Sequence, residues 1–99
     1  MLLTRDLQPV GRFAVAADHP SLPGHFPGRP VVPGVVLLDH VLALVGRGTP
    51  AACRVKFTSV VRPDEPIDVL AGPAHAGWVD FVGRHGDRVV LHGRASAAP

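Results

Sequence analysis

Residues 35–45, VVLLDHVLALV, are apolar at every position except Asp39 and His40, and Pro33-Gly34 stands directly in front of them. Wound as a helix, this run is apolar on all sides, and such a helix belongs inside a domain and not on its surface. Counted from Pro33, its 13 residues at a rise of ~1.5 Å each span ~20 Å, too short to cross a bilayer. The rest of the chain must therefore supply layers that cover one short helix. An acidic side chain in the middle of that helix needs a partner or a task, because an unpaired buried carboxylate costs several kcal/mol or stays protonated. From the helix alone, structural satisfaction of Asp39 and a functional role are equally open.

The segment before the helix, HPSLPGHFPGRPVV, is stiffened by prolines. Pro27, Pro30 and Pro33 fix their own φ and bias Phe26, Arg29 and Val32 toward extended backbone, so His25 is expected to hold a defined position. His19, before a proline in a turn, reads as an exposed turn residue.

Elsewhere the pattern is that of short strands. Residues 1–10 carry no period and read as a loosely held lead-in, and residues 12–16 alternate well enough for a first strand. After the helix, Gly46 and Gly48 provide a stop, with Arg47 near the negative end of the dipole. Residues 52–61, rich in β-branched side chains, predict a strand; 62–66 a turn; 67–71 a strand; 78–82 and 89–95 a hairpin closed at His85-Gly86-Asp87. The order is strand, loop and helix, then four strands: an α+β layout in which an antiparallel sheet must wrap the helix.

Ninety-nine residues make one expected domain over 1–99, small enough that only about 60–65% of its unfolded surface can be buried, so association would help it. The 11 Gly and 11 Pro imply many turns. The formal net charge of +2 is spread out, without basic runs interleaved with aromatics, which speaks against nucleic acid and for a small acidic partner or an anionic cofactor arm. The lone Cys53 has no internal disulfide partner and no ligand spacing, no export signal is legible, and the cytoplasm is the expected location. The spacing of His19, His25 and His40 matches no helix-borne metal set.

Gly24 to Asp39, GHFPGRPVVPGVVLLD, resembles the signature of the β-hydroxyacyl-[acyl carrier protein] dehydratases of the hotdog fold, and Lys56 to Val69, KFTSVVRPDEPIDV, is similar to the strand and turn that follow in that family. The two stretches span less than half the chain. The resemblance implies a sheet wrapped around a central helix, a homodimer or higher homo-oligomer, an acyl carrier protein as partner through its phosphopantetheine-linked acyl group, and no cofactor. It also implies a catalytic pair, a loop histidine and a helical Glu or Asp, here His25 and Asp39, facing one another from different subunits.

On that basis His25 is the expected base, with an unperturbed pKa near working pH, and Asp39, raised in pKa by apolar surroundings, the expected donor to the leaving hydroxyl. No Ser, Thr, Asp or Asn precedes Pro33-Gly34 to cap the helix, so the amides of Gly34 and Val35 are candidates to bind the thioester oxygen. Phe26 and Phe57 are candidate tunnel walls, and Arg29 and Arg62 candidate contacts for the carrier. His40, about 100° around the helix from Asp39, is expected to pack and not to catalyse. The short chain leans toward small stand-alone dehydratases of polyketide or aryl-polyene type, and without a tyrosine any aromatic gate on the tunnel must be another residue. Two other activities fit a hotdog chain: a thioesterase, in which a carboxylate directs water at the thioester, and a silent partner subunit that binds carriers.

Overall fold

The computed structural model describes residues 7–18, 31–46 and 50–96. Their order is β1 (Gln8–Phe13), α1 (Gly34–Val45), β2 (Cys53–Phe57), β3 (Ile67–Ala71), β4 (Trp78–His85) and β5 (Arg88–Ser96). All strand pairs are antiparallel, and the sheet runs β1-β3-β4-β5-β2, with β1 and β2 at its edges. One face of this sheet packs on α1, which is the hotdog arrangement.

The core is built from the alternate residues of each strand that face α1. Ile67 and Val69 of β3, Phe81 of β4 and Leu91 and Ala95 of β5 are fully enclosed, and Leu37, Val41 and Leu42 meet them from the helix. Burying each large apolar side chain contributes about 1.5–3 kcal/mol, so this layer is what holds the helix to the sheet. A bulge in β4–β5 sets Gly83 opposite Leu91 and Arg84 opposite Val89. Val90 is the residue left over, which is why Val90 and Leu91 are both buried although they are neighbours. The hairpin closes through Gly86-Asp87, with Gly86 at φ 60, a conformation that suits glycine.

Two expectations are corrected. The helix is not enclosed on all sides: Leu37, Val41 and Leu42 are buried, whereas Val35, Asp39 and Ala43, spaced four apart along one stripe, are exposed. A five-stranded sheet covers one side of a helix, and apolarity all round does not by itself supply a second layer. The first strand also lies earlier than its alternation suggests, since Gln8 and Pro9 pair with β3 while Ala14–Ala16 do not. Edge pairing outweighs side-chain pattern there, and the shift in register between Pro9 and Gly11 accommodates a proline that cannot donate to the ladder. Gly11 at this point lies against Leu44 of α1, whose methyl groups a side chain at position 11 would have to push aside.

Strand β2 is shorter than residues 52–61. After the Thr58 amide bonds the Val90 carbonyl (2.9 Å), the chain leaves the sheet and crosses to the front of the helix, where the Val32 amide bonds the Val61 carbonyl (2.8 Å). The turn at 62–66 is held by Glu65, whose carboxylate accepts the Arg62 amide at 2.7 Å and lies 3.4 Å from Arg88. The Arg62 amide first, then the Arg88 and His85 charges, hold the Glu65 carboxyl below its ordinary pKa.

Candidate active site

The segment 31–33 enters α1 in extended conformation, with Pro33 as N-cap (φ −60, ψ 143) and no side chain capping the first turn. The Pro33 carbonyl accepts the amides of Val36 (3.0 Å) and Leu37 (3.3 Å). The amides of Gly34 and Val35 take no partner among the described residues. No acidic residue occupies the first turn, so these two donors and the positive end of the helix dipole are open to an incoming oxygen.

The edge strand β2 brings Phe57 directly over this helix start. A Cβ on Gly34 would lie 3.0–3.2 Å from three atoms of the Phe57 ring. Glycine is thus what lets the aromatic ring lie against the backbone whose amide is free. Phe57 (44% exposed) and Val35 (67%) leave apolar surface at the two donors, and Val60 (58%), past the end of β2, is exposed as well. Of the sequence candidates, Gly34, Val35 and Phe57 are brought together here. Val60 was not singled out, because the run 52–61 reads as uninterrupted strand and the crossover that exposes it depends on where β2 parts from β5.

Asp39 lies on the same exposed stripe as Val35, about 6 Å farther along the helix axis. In the single chain its carboxylate meets solvent, so any apolar surroundings for it must come from outside the described residues. His40 faces sideways and stacks on Phe13 of β1, with ring centroids 4.7 Å apart and planes 9° from parallel. His25, Phe26, His19, Arg29 and Arg47 lie outside the described residues. Arg62 is exposed, one turn residue away from the site's crossover. Cys53 is half-buried on the helix side of β2, where burial pushes its thiol pKa up, the wrong direction for a nucleophile. Among the described residues no cluster of His, Cys, Asp and Glu could hold a metal, and no helix is long and apolar enough to cross a membrane.

A family model for ApeI-like dehydratases, described as ApeI dehydratase, matches residues 4–93. The chain belongs to the ApeI-like dehydratase family. Its curated relatives include the 3-hydroxyacyl-[acyl-carrier-protein] dehydratase FabZ of Chloroflexus aggregans, 44% identical over 74 aligned positions that cover 59% of this chain and 49% of the relative. The FabZ of Desulforamulus reducens is 51% identical over 70 positions, covering 71% of this chain and 35% of the relative. The FabZ of an Anaeromyxobacter strain is 34% identical over 55 positions, covering 56% and 30%. The chain thus spans half or less of the length of these relatives.

Proposed function

We propose that this chain dehydrates β-hydroxyacyl thioesters presented by an acyl carrier protein, giving the trans-2-enoyl thioester and water, and that it works as a homodimer. The observation that carries the reading is the pair of amides at Gly34 and Val35, without a partner among the described residues, backed by the helix dipole and lined by Phe57, with Asp39 on the same stripe. Family membership over residues 4–93 supports the reaction class.

In this reading His25 removes the proton next to the thioester carbonyl, and the electron pair moves toward the carbonyl oxygen, which the Gly34 and Val35 amides receive. Asp39 supplies a proton to the departing hydroxyl, and the double bond forms as water leaves. The exposure of Asp39 in one chain gives the dimer its reason. A partner laid over the Val35–Asp39–Ala43 stripe would cover the bare side of an apolar helix, remove the carboxylate from water and set it against the partner's loop.

The test is mass spectrometry of a 3-hydroxyacyl carrier protein incubated with the chain, which should lose one water and should not with Asp39→Asn. Mixing His25→Ala with Asp39→Ala subunits separates shared from private sites. Recovered turnover in the mixture supports sites composed from two subunits, and no recovery refutes them.

A further inference from the structure

Phe57 lies over Gly34 only because β2 stops where it does, and one side chain fixes that point. β2 is an edge strand, paired with β5 alone among the described residues. The last step of its ladder sets Phe57 opposite Leu91. Thr58, the next residue, bonds two successive carbonyls of β5: its amide donates to Val90 and its hydroxyl to Val89, each at 2.9 Å. Val89 and Val90 belong to the β4–β5 bulge, where β5 carries one residue more than its partner. Thr58 thus grips the bulge with main chain and side chain together.

The next fixed point is Val61, which is buried and whose carbonyl accepts the Val32 amide at 2.8 Å in front of the helix. Between these anchors Ser59 and Val60 take no backbone–backbone hydrogen bond among the described residues. At 44% exposure the Phe57 ring is not enclosed by the core, so the backbone beside it decides where it sits. Its closest atom lies 3.0 Å from the Cβ position on Gly34. The fit is close enough that a shift of about 1 Å uncovers the helix start, and misplacement on that scale can cost ~10²-fold in rate.

We propose that Thr58 is a positioning residue for the site at the start of α1: the bond from its hydroxyl to the Val89 carbonyl sets where β2 leaves the sheet and so holds Phe57 against Gly34. Resting on the function proposed above, the ring keeps water from the side of the amides that it covers. The thioester oxygen then meets them in a drier setting, where a hydrogen bond to growing negative charge is stronger. The hydroxyl touches no reacting atom and works through Phe57.

The test compares the full chain with Thr58→Val, which keeps the β-branched shape and removes the donor, and Thr58→Ser, which keeps the donor. The bond is exposed, so water can take over the Val89 carbonyl, and the thermal midpoint of Thr58→Val should fall by no more than about 8 °C. In nuclear Overhauser spectra the contact between the Phe57 ring and the Gly34 Hα protons should be present in the parent and in Thr58→Ser, and weakened or lost in Thr58→Val. Equal contact in all three overturns the proposal. On a 3-hydroxyacyl thioester Thr58→Val should lower kcat about tenfold with KM within about threefold, and Thr58→Ser should stay within about twofold of the parent. The loss should largely vanish when Thr58→Val is made on Phe57→Leu, since the hydroxyl then has no ring to place. An undiminished loss on that background, or an unchanged kcat in Thr58→Val, overturns it. If the parent chain dehydrates no such thioester, the reaction assigned above fails, and the Overhauser contact still decides whether Thr58 holds Phe57. Should Thr58→Val not fold, Thr58→Ala, which lacks the same hydroxyl, carries the comparison.

Discussion

Replacing Gly34 by proline deletes one amide from the proposed carbonyl site while leaving the helix a sound start. Position 34 is the first helical residue, where proline's missing N–H costs no helix bond and its φ is already suitable. The residue before it, Pro33, is extended at ψ 143, the conformation that a following proline demands. The new ring must displace the Phe57 side chain by a few tenths of an ångström, because the Cβ position is 3.0 Å from that ring. Phe57 is 44% exposed and can move outward. Stability should therefore change by no more than about 1 kcal/mol, since a less flexible unfolded chain offsets the crowding.

Gly34→Ala is the matched control, because it adds the same Cβ and keeps the amide. If the Gly34 N–H receives the charge that builds on the thioester oxygen, Gly34→Pro should lose about 10²–10³ in kcat relative to Gly34→Ala, equivalent to ~3–4 kcal/mol of transition-state stabilisation. KM should change little, because the interaction strengthens only as the oxygen becomes negative. The assay is enoyl thioester formation at saturating substrate, with thermal unfolding of both variants alongside. Equal kcat for the two folded variants refutes the role assigned to the helix start.

Three further outcomes follow from the packing. Gly93→Ala should destabilise the chain by more than about 2 kcal/mol in denaturant unfolding, because its methyl group meets backbone, the Arg54 carbonyl, and not a side chain that can turn away. Glu65→Gln should cost on the order of 1 kcal/mol at neutral pH. Its depressed carboxyl pKa means that this stability is present above the unfolded value and is lost as pH falls through the folded one, so parent and variant should converge in acid. The exposed Arg12–Asp68 pair, 2.7 Å apart, should show little or no coupling in a double-mutant cycle despite its short distance, because solvent screens it.

The class of fold was legible because two periods of apolarity differ plainly: the solid run at 35–45 and the alternations at 67–71 and 78–82 required a sheet against a helix. Strand ends were not legible, since they are set by partners. β1 begins at Gln8 because β3 is beside it, and β2 ends at Phe57 because the chain must reach back to Val32. The open amides at Gly34 and Val35 could be read from a missing cap, which is a local property of four residues. The position of Phe57 over Gly34 could not, because it depends on strand β2, which begins nineteen residues past Gly34, being folded back across the helix.

The exposure of Asp39 joins these strands of reasoning. The sequence pattern demanded cover on every side of the helix, and one chain provides it on one side. Both statements hold if the missing cover is a second copy, and the same contact then brings the acid out of water. A helix whose sequence is more apolar than its surroundings in the single chain, with its only carboxylate on the bare stripe, is what a site completed by association requires. A monomer that turns over substrate at a concentration where no dimer is present would separate the two, leaving the exposed stripe without this explanation and Asp39 as an ordinary surface carboxylate.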